Sequence, residues 1–171
     1  GYKTLPPYEG YPDHLSPIVL LALNTGLRRG ELLGLRWADL DLTAARLTVR
    51  GLTAKSGITR YVPLNTEAVT VLQKWQKGRK VEGDVLVFPG PTGEPMTTLK
   101  TAWQPVGKAA RLKDFTFHDL RHTFASKLVQ AGVDLNTVRE LLGHADIKMT
   151  LRYAHLAPEH KAAAVAKLVS A

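Results

Sequence analysis

The sequence predicts an α+β domain with a helical majority and one small antiparallel sheet. Apolar residues recur at helical spacing before Trp37 and again beyond position 97, while between Ala45 and Leu64 the period drops to two. With 171 residues, 44% of them apolar, the chain is long enough to bury one core, and no internal repeat divides it.

The elements follow in order. Residues 1–13, rich in proline and glycine, read as a linker or boundary segment ahead of a domain over 14–171. Ser16 is expected to cap a helix that runs to Thr25, with Pro17 at its first position and Gly26 as its stop. A second short helix is expected over Arg29–Leu35, with Leu32, Leu33 and Trp37 as its buried contacts. Leu47 and Val49 face Tyr61, Val62 and Leu64 across a turn at Lys55-Ser56-Gly57, which predicts a β-hairpin. Asn65 caps a helix through Val69, Leu72 and Trp75, and Val85–Phe88 form another short strand. Helices are then expected at 97–111, with Pro105 inside, at 117–131, 135–142 and 158–169, with stops at Gly132 and Gly143.

Charge and composition narrow the function. Lysine and arginine number 23 against 15 acidic residues, a net charge of +8. Residues 1–85 hold 12 basic and 8 acidic residues and residues 86–171 hold 11 and 7, so the excess belongs to the folded body and favours a polyanionic partner. With no cysteine, disulfide frameworks, thiolate zinc sites and cysteine nucleophiles are excluded. The apolar run Ile18–Leu23 is far below the roughly 18 residues of a membrane span.

Four segments carry chemistry. In His118-Asp119-Leu120-Arg121-His122, His118 and Arg121 project from neighbouring helical positions and pair a proton-shuttling imidazole with a guanidinium that grips two oxygens. The same segment admits a weak zinc reading through His118 and His122. In Thr25-Gly26-Leu27-Arg28-Arg29-Gly30-Glu31 a glycine turn delivers Arg28 at a helix start, Arg29 reads as a solvated side chain, and Glu31 either fixes Arg28 or answers the helix dipole. Lys55 at the hairpin tip would, in isolation, read as solvent-exposed. Leu141-Leu142-Gly143-His144 precedes Tyr153 by nine residues; a phenol with a pKa of about 10 is ionised about once in a thousand molecules at neutral pH, and cationic neighbours would help it by stabilising the phenolate.

Taken in order, Thr25-Gly26-Leu27-Arg28, Lys55 on a hairpin, His118-x-x-Arg121, Leu141-Leu142-Gly143-His144 and Tyr153 resemble the signature of the tyrosine recombinases, also called the phage integrase family. The resemblance covers about residues 14–169. It implies a mostly helical catalytic domain with a small antiparallel sheet, acting on double-stranded DNA by cutting and rejoining through a 3′-phosphotyrosyl intermediate. By resemblance, Arg28 and Arg121 clamp the scissile phosphate, Tyr153 attacks phosphorus, and Lys55 protonates the departing 5′-oxygen. His118 serves acid–base exchange on the tyrosine side, His144 hydrogen-bonds the phosphate, and Glu31 supports an arginine. An arginine pair can stand where many nucleases hold a divalent ion, so neither metal nor cofactor is expected. A Gly-x-x-x-x-Gly-Lys-[Ser/Thr] loop is missing, which agrees with rejoining without nucleotide hydrolysis.

Members of the family usually carry a further N-terminal DNA-clamping domain, so the sequence is read as the catalytic domain alone, with weaker DNA affinity as the expected result. The tail after Pro158 is amphipathic, and the resemblance implies a homo-oligomer, a tetramer on DNA, joined through that helix in the bacterial cytoplasm. Its alternative is packing on its own domain. Rival functions are a type IB topoisomerase-like nicking and closing enzyme, a non-catalytic DNA-binding module and a metal-dependent nuclease.

Overall fold

A computed structural model describes residues 11, 13–51, 57–77, 79, 81, 83–158, 165, 166 and 168. Helices α1 (Leu15–Thr25) and α2 (Arg29–Leu33) lead through a 3₁₀ turn (Trp37–Asp39) into strands β1 (Leu40–Asp41), β2 (Arg46–Val49) and β3 (Arg60–Pro63). Then come α3 (Thr66–Gln76), α4 (Lys100–Ala109), α5 (Asp119–Gln130), α6 (Leu135–Leu142), the single turn α7 (Lys148–Leu151) and a 3₁₀ turn at Ala154–Leu156. The expected α+β class with a helical majority is what the chain forms.

The first helix begins one residue earlier than Ser16. The N-cap is His14, which makes no side-chain cap bond; Asp13 before it accepts the Leu15 N–H on Oδ1 at 2.8 Å, and Pro17 falls later in the first turn, where its missing N–H costs nothing. Gly26 ends the helix with φ of 62°, as expected. A Cβ at this glycine would run into the Phe124 ring and come within 3.0 Å of Leu142 Cδ2, so the position needs both the left-handed backbone and the empty space. The second helix stops at Leu33 rather than Leu35, yet Leu32, Leu33 and Trp37 are buried as read.

The sheet is antiparallel in the order β1-β2-β3, with Leu47 opposite both Leu40 and Val62. Leu47, Val49 and Val62 face the core. Tyr61 faces outward instead, under the Arg46 guanidinium at 5.2 Å, as strand alternation next to buried Val62 requires. The expected turn at Lys55 and Ser56 lies outside the described residues.

Asn65 caps α3, its side chain accepting the Ala68 N–H at 2.9 Å. The strand expected at 85–88 is only a bridge, Leu86 pairing Arg36, because Val87 turns its carbonyl to the Trp75 indole at 2.7 Å. The helix expected over 97–111 is shorter, Lys100–Ala109, with Pro105 inside it. Helix α6 spans 135–142 as expected, capped by Asp134, which accepts the Thr137 N–H, and closed by Gly143 at φ of 62°. The helix expected at 158–169 falls almost wholly outside the described residues, as does the proposed linker at 1–13.

Two apolar clusters result. The larger joins α1, the sheet and α3 through residues such as Ile18, Leu47, Leu72 and Phe88. The smaller joins α5 and α6 through Ala125, Val129, Val138, Leu142 and the ring of Tyr153. Helix α1 packs on both α3 and α5.

Candidate active site

Three arginines meet at the C-terminal end of α6. Backbone carbonyls at a helix C-terminus have no partner within the helix and carry the negative end of its dipole. Arg60 Nε donates to Leu141 O at 3.2 Å, Arg121 Nη2 to Leu142 O at 2.5 Å and Arg28 Nη2 to Gly143 O at 3.2 Å. Arg121 also donates to Gly26 O at 2.6 Å, tying the loop after α1 to α6 through α5. Gly143 is required here, because a Cβ would stand 2.9 Å from the Arg60 side chain. This gives the Leu-Leu-Gly-His segment a physical reason: it presents three carbonyls to three guanidiniums and aims His144 at the same place.

Beneath them sits Glu31, with 3% of its side chain exposed. Its carboxylate accepts from Arg60 Nη1 and Nη2 at 2.9 and 2.8 Å, from Arg28 Nη1 at 3.1 Å and from the Arg28 N–H at 2.8 Å. Burial by itself would raise its pKa, but the Arg60 and Arg28 guanidiniums outweigh that and hold it below the usual carboxylate value.

Arg28, His118, Arg121, His144 and Tyr153 line one cavity of about 220 Å³, together with His122, Lys148, Met149 and Arg152. The sequence reading placed the first five together; Lys55 lies outside the described residues. Arg121 is pulled down to about 10, first by burial and then by Arg28, and remains cationic at neutral pH. His144 is buried, its Nδ1 lies 2.8 Å from Thr150 Oγ1, and burial together with Arg121 and Arg28 lowers it to about 4, so it is neutral.

Tyr153 differs from expectation. Its cationic neighbours do favour the phenolate, Arg152 and Arg121 both pulling the pKa down, but burial wins and the phenol is raised. The hydroxyl lies 2.5 Å from His122 Nδ1. His122 stands one helical turn from His118, their rings at 88° with centroids 5.0 Å apart. The zinc reading gains no support from this, because no group of three potential metal ligands gathers among the described residues.

Arg60, Lys148 and Arg152 are site residues that sequence reasoning missed, and His122 entered it only as a weak zinc ligand. His122 had a signal, its i+4 spacing from His118 on the same helical face, and so did Arg152, adjacent to the tyrosine. Arg60 had none, since its partners are 29 and 81 positions away.

Residues 11–160 match the Phage integrase family. The chain belongs to the phage integrase family. It is 39% identical over 157 residues to the integrase of Salmonella phage P22, covering 86% of this chain and 41% of that protein. It is also 39% identical over 145 residues to the tyrosine recombinase XerC of Xanthomonas campestris, covering 83% and 44%. The chain thus spans less than half the length of these integrase relatives. Among solved structures, the catalytic domain of bacteriophage HP1 integrase superposes with a TM-score of 0.69 at 28% identity, covering 88% of this chain and 80% of that one. The integrase of the Tn1549 transposon, in complex with transposon right end DNA, gives 0.73 at 27% identity over 91% and 58%. The expected integrase-type catalytic fold is therefore the observed one.

Proposed function

We propose that this chain is the catalytic part of a site-specific DNA recombinase that cuts and rejoins double-stranded DNA through a 3′-phosphotyrosyl bond on Tyr153. The observation that carries the reading is the single cavity where Arg28, Arg121, His144 and Tyr153 converge. A phosphodiester under attack gathers negative charge on its non-bridging oxygens, and fixed donors in a water-poor pocket stabilise that charge. Arg28 and Arg121 supply cationic donors already anchored on backbone carbonyls. Neutral His144, its Nδ1 held against Thr150 Oγ1, turns Nε2 to the phosphate. Lys55 is the acid for the 5′-oxygen, and His118 takes part in acid–base exchange at the tyrosine end through the His122 ring beside it. Glu31 holds Arg28 in place. A solved relative agrees in substrate: the site-specific recombinase XerH is seen bound to difH substrate before cleavage and to palindromic difH substrate after it.

The reaction needs neither a metal ion nor a nucleotide, because the arginine pair neutralises the phosphate and the tyrosyl ester conserves the bond. No helix among the described residues is long and apolar enough to cross a membrane, and the proposed place of action is DNA in the bacterial cytoplasm. Copies assemble on DNA as a tetramer through residues 158–169. Size-exclusion of the DNA complex with and without residues 158–171 tests this: their removal is expected to lower the number of copies per complex, and an unchanged stoichiometry rejects it.

The test of function is incubation with a pool of nicked duplexes, randomised around the nick, in EDTA. The expected result is a denaturation-resistant protein–DNA adduct with a free 5′-hydroxyl, drawn from a narrow subset of sequences. An adduct formed indifferently to sequence would transfer the chain to the nicking and closing class. Loss of the adduct in EDTA, or none at all, rejects the reading.

A further inference from the structure

The sequence resemblance puts His118 at the tyrosine end, but the structure places a different imidazole on the hydroxyl. Tyr153 Oη lies 2.5 Å from His122 Nδ1, within the cavity that Arg28, Arg121 and His144 also line. The two rings are inclined at 48° with centroids 5.9 Å apart, which leaves the nitrogen in the approach to the hydroxyl rather than stacked on the ring. We propose that His122 is a catalytic residue, taking the Tyr153 hydroxyl proton as the oxygen attacks phosphorus and returning it when the strand is rejoined. This rests on the reading of Tyr153 as nucleophile.

The surroundings of both groups call for such a base. Burial raises the phenol, so fewer than about one tyrosine in a thousand is ionised at neutral pH, and unaided attack would draw on that fraction. The charged and titratable groups facing His122 are His118, Asp119 and Arg121 from its own helix, Arg152 and Lys148 from the segment carrying the tyrosine, Arg28 from the loop after α1, and His144 after α6. Burial first, and then Arg152, hold the His122 ring below its ordinary 6.5, with Asp119 opposing them. The ring is therefore neutral at pH 7, and Nδ1 can accept the proton.

The step balances within the chain and its substrate. The Tyr153 O–H bond breaks, its proton passes to Nδ1, and the oxygen's electron pair forms the bond to phosphorus. The bond from phosphorus to the 5′-oxygen breaks, and that oxygen leaves with the pair and takes a proton from the acid proposed above. Rejoining runs the same transfers backwards, with the His122 imidazolium protonating the departing phenol oxygen.

Adduct formation is measured in single turnover, from pH 5 to 9, on a duplex selected by the assay above and on the same duplex with sulfur replacing the bridging 5′-oxygen. A thiolate leaves without an acid, so sulfur rescues a missing acid and leaves a missing base exposed. His122→Ala is expected to slow the adduct roughly 10²–10⁴-fold with either leaving atom. The wild-type rate should fall on the acid side below pH 6.5, and this limb should vanish in the variant, whose rate instead climbs with pH toward phenol ionisation. His122→Asn, which retains an acceptor for the hydroxyl but no base, carries the test if the alanine variant does not fold, and is expected to lose the same limb. Rates within about threefold of wild type, rescue by sulfur, or an unchanged pH profile would each overturn the assignment. A wild-type chain that forms an adduct while both variants match it rejects His122 alone; one that forms no adduct rejects the recombinase reading, and this proposal with it.

Discussion

Replacing Tyr153 by phenylalanine is expected to remove the covalent adduct altogether while leaving the fold and most DNA binding in place. The ring is buried in the small cluster with Val129, Val138 and Leu142, and phenylalanine keeps that contact surface. What is lost is the hydroxyl's hydrogen bonding to His122 and Arg152, each bond having a net value of about 0.5–1.5 kcal/mol. The cationic wall of Arg28, Arg121, Lys148 and Arg152 is untouched, so the phosphate still has its partners. Denaturing gels should show no retained DNA under conditions where the wild type is trapped, with gel-shift affinity changed by no more than about the loss of one neutral contact. A retained adduct in this variant would assign the attacking oxygen elsewhere.

Glu31→Gln is expected to be the most destabilising change at the site. The carboxylate is enclosed by two guanidiniums, and Arg60 itself has only 9% of its side chain exposed. An amide fills the same volume but turns an N–H₂ toward donors, leaving buried positive charge uncompensated. Breaking a buried pair from one side typically costs about 3–5 kcal/mol, a large share of the roughly 5–15 kcal/mol that holds a domain together. Urea unfolding should show a lower midpoint with an unchanged slope, and adduct formation should slow because Arg28 loses its support. The same carboxylate predicts an acid dependence. Its folded pKa lies below its ordinary 4.5, so its contribution is complete above that value and is lost as the pH falls through the lowered one. The glutamine variant should lack that acid-side loss.

How much of this was legible beforehand follows the range of the interactions. Helix α6 was readable to its ends because Asp134 and Gly143 act within a few residues of themselves. The start of α1 was misplaced because Asp13 and Ser16 are both good caps, and only the folded chain shows which one bonds. Val85–Phe88 has the composition of a strand, but among the described residues it pairs only through the Leu86–Arg36 bridge, and the Trp75 indole takes the Val87 carbonyl. The site was visible as a set of residue types in order, and its anchors were not. Arg60 resembles any strand arginine until Glu31 and Leu141 are beside it. For Tyr153, counting cations suggested help toward the phenolate; burial, which is invisible in a list of charges, outweighs it.

The three guanidiniums hooked onto the end of α6 have a bearing on recognition. Long flexible side chains normally lose rotational freedom on meeting an anion, about 0.5–1.5 kcal/mol for each one immobilised. In Arg28 and Arg121 that loss has already occurred during folding, since each is held on a main-chain oxygen before any nucleic acid arrives. On the proposed function a phosphate would meet a rigid socket, and tightness of grip and accuracy of placement would come from the same few bonds.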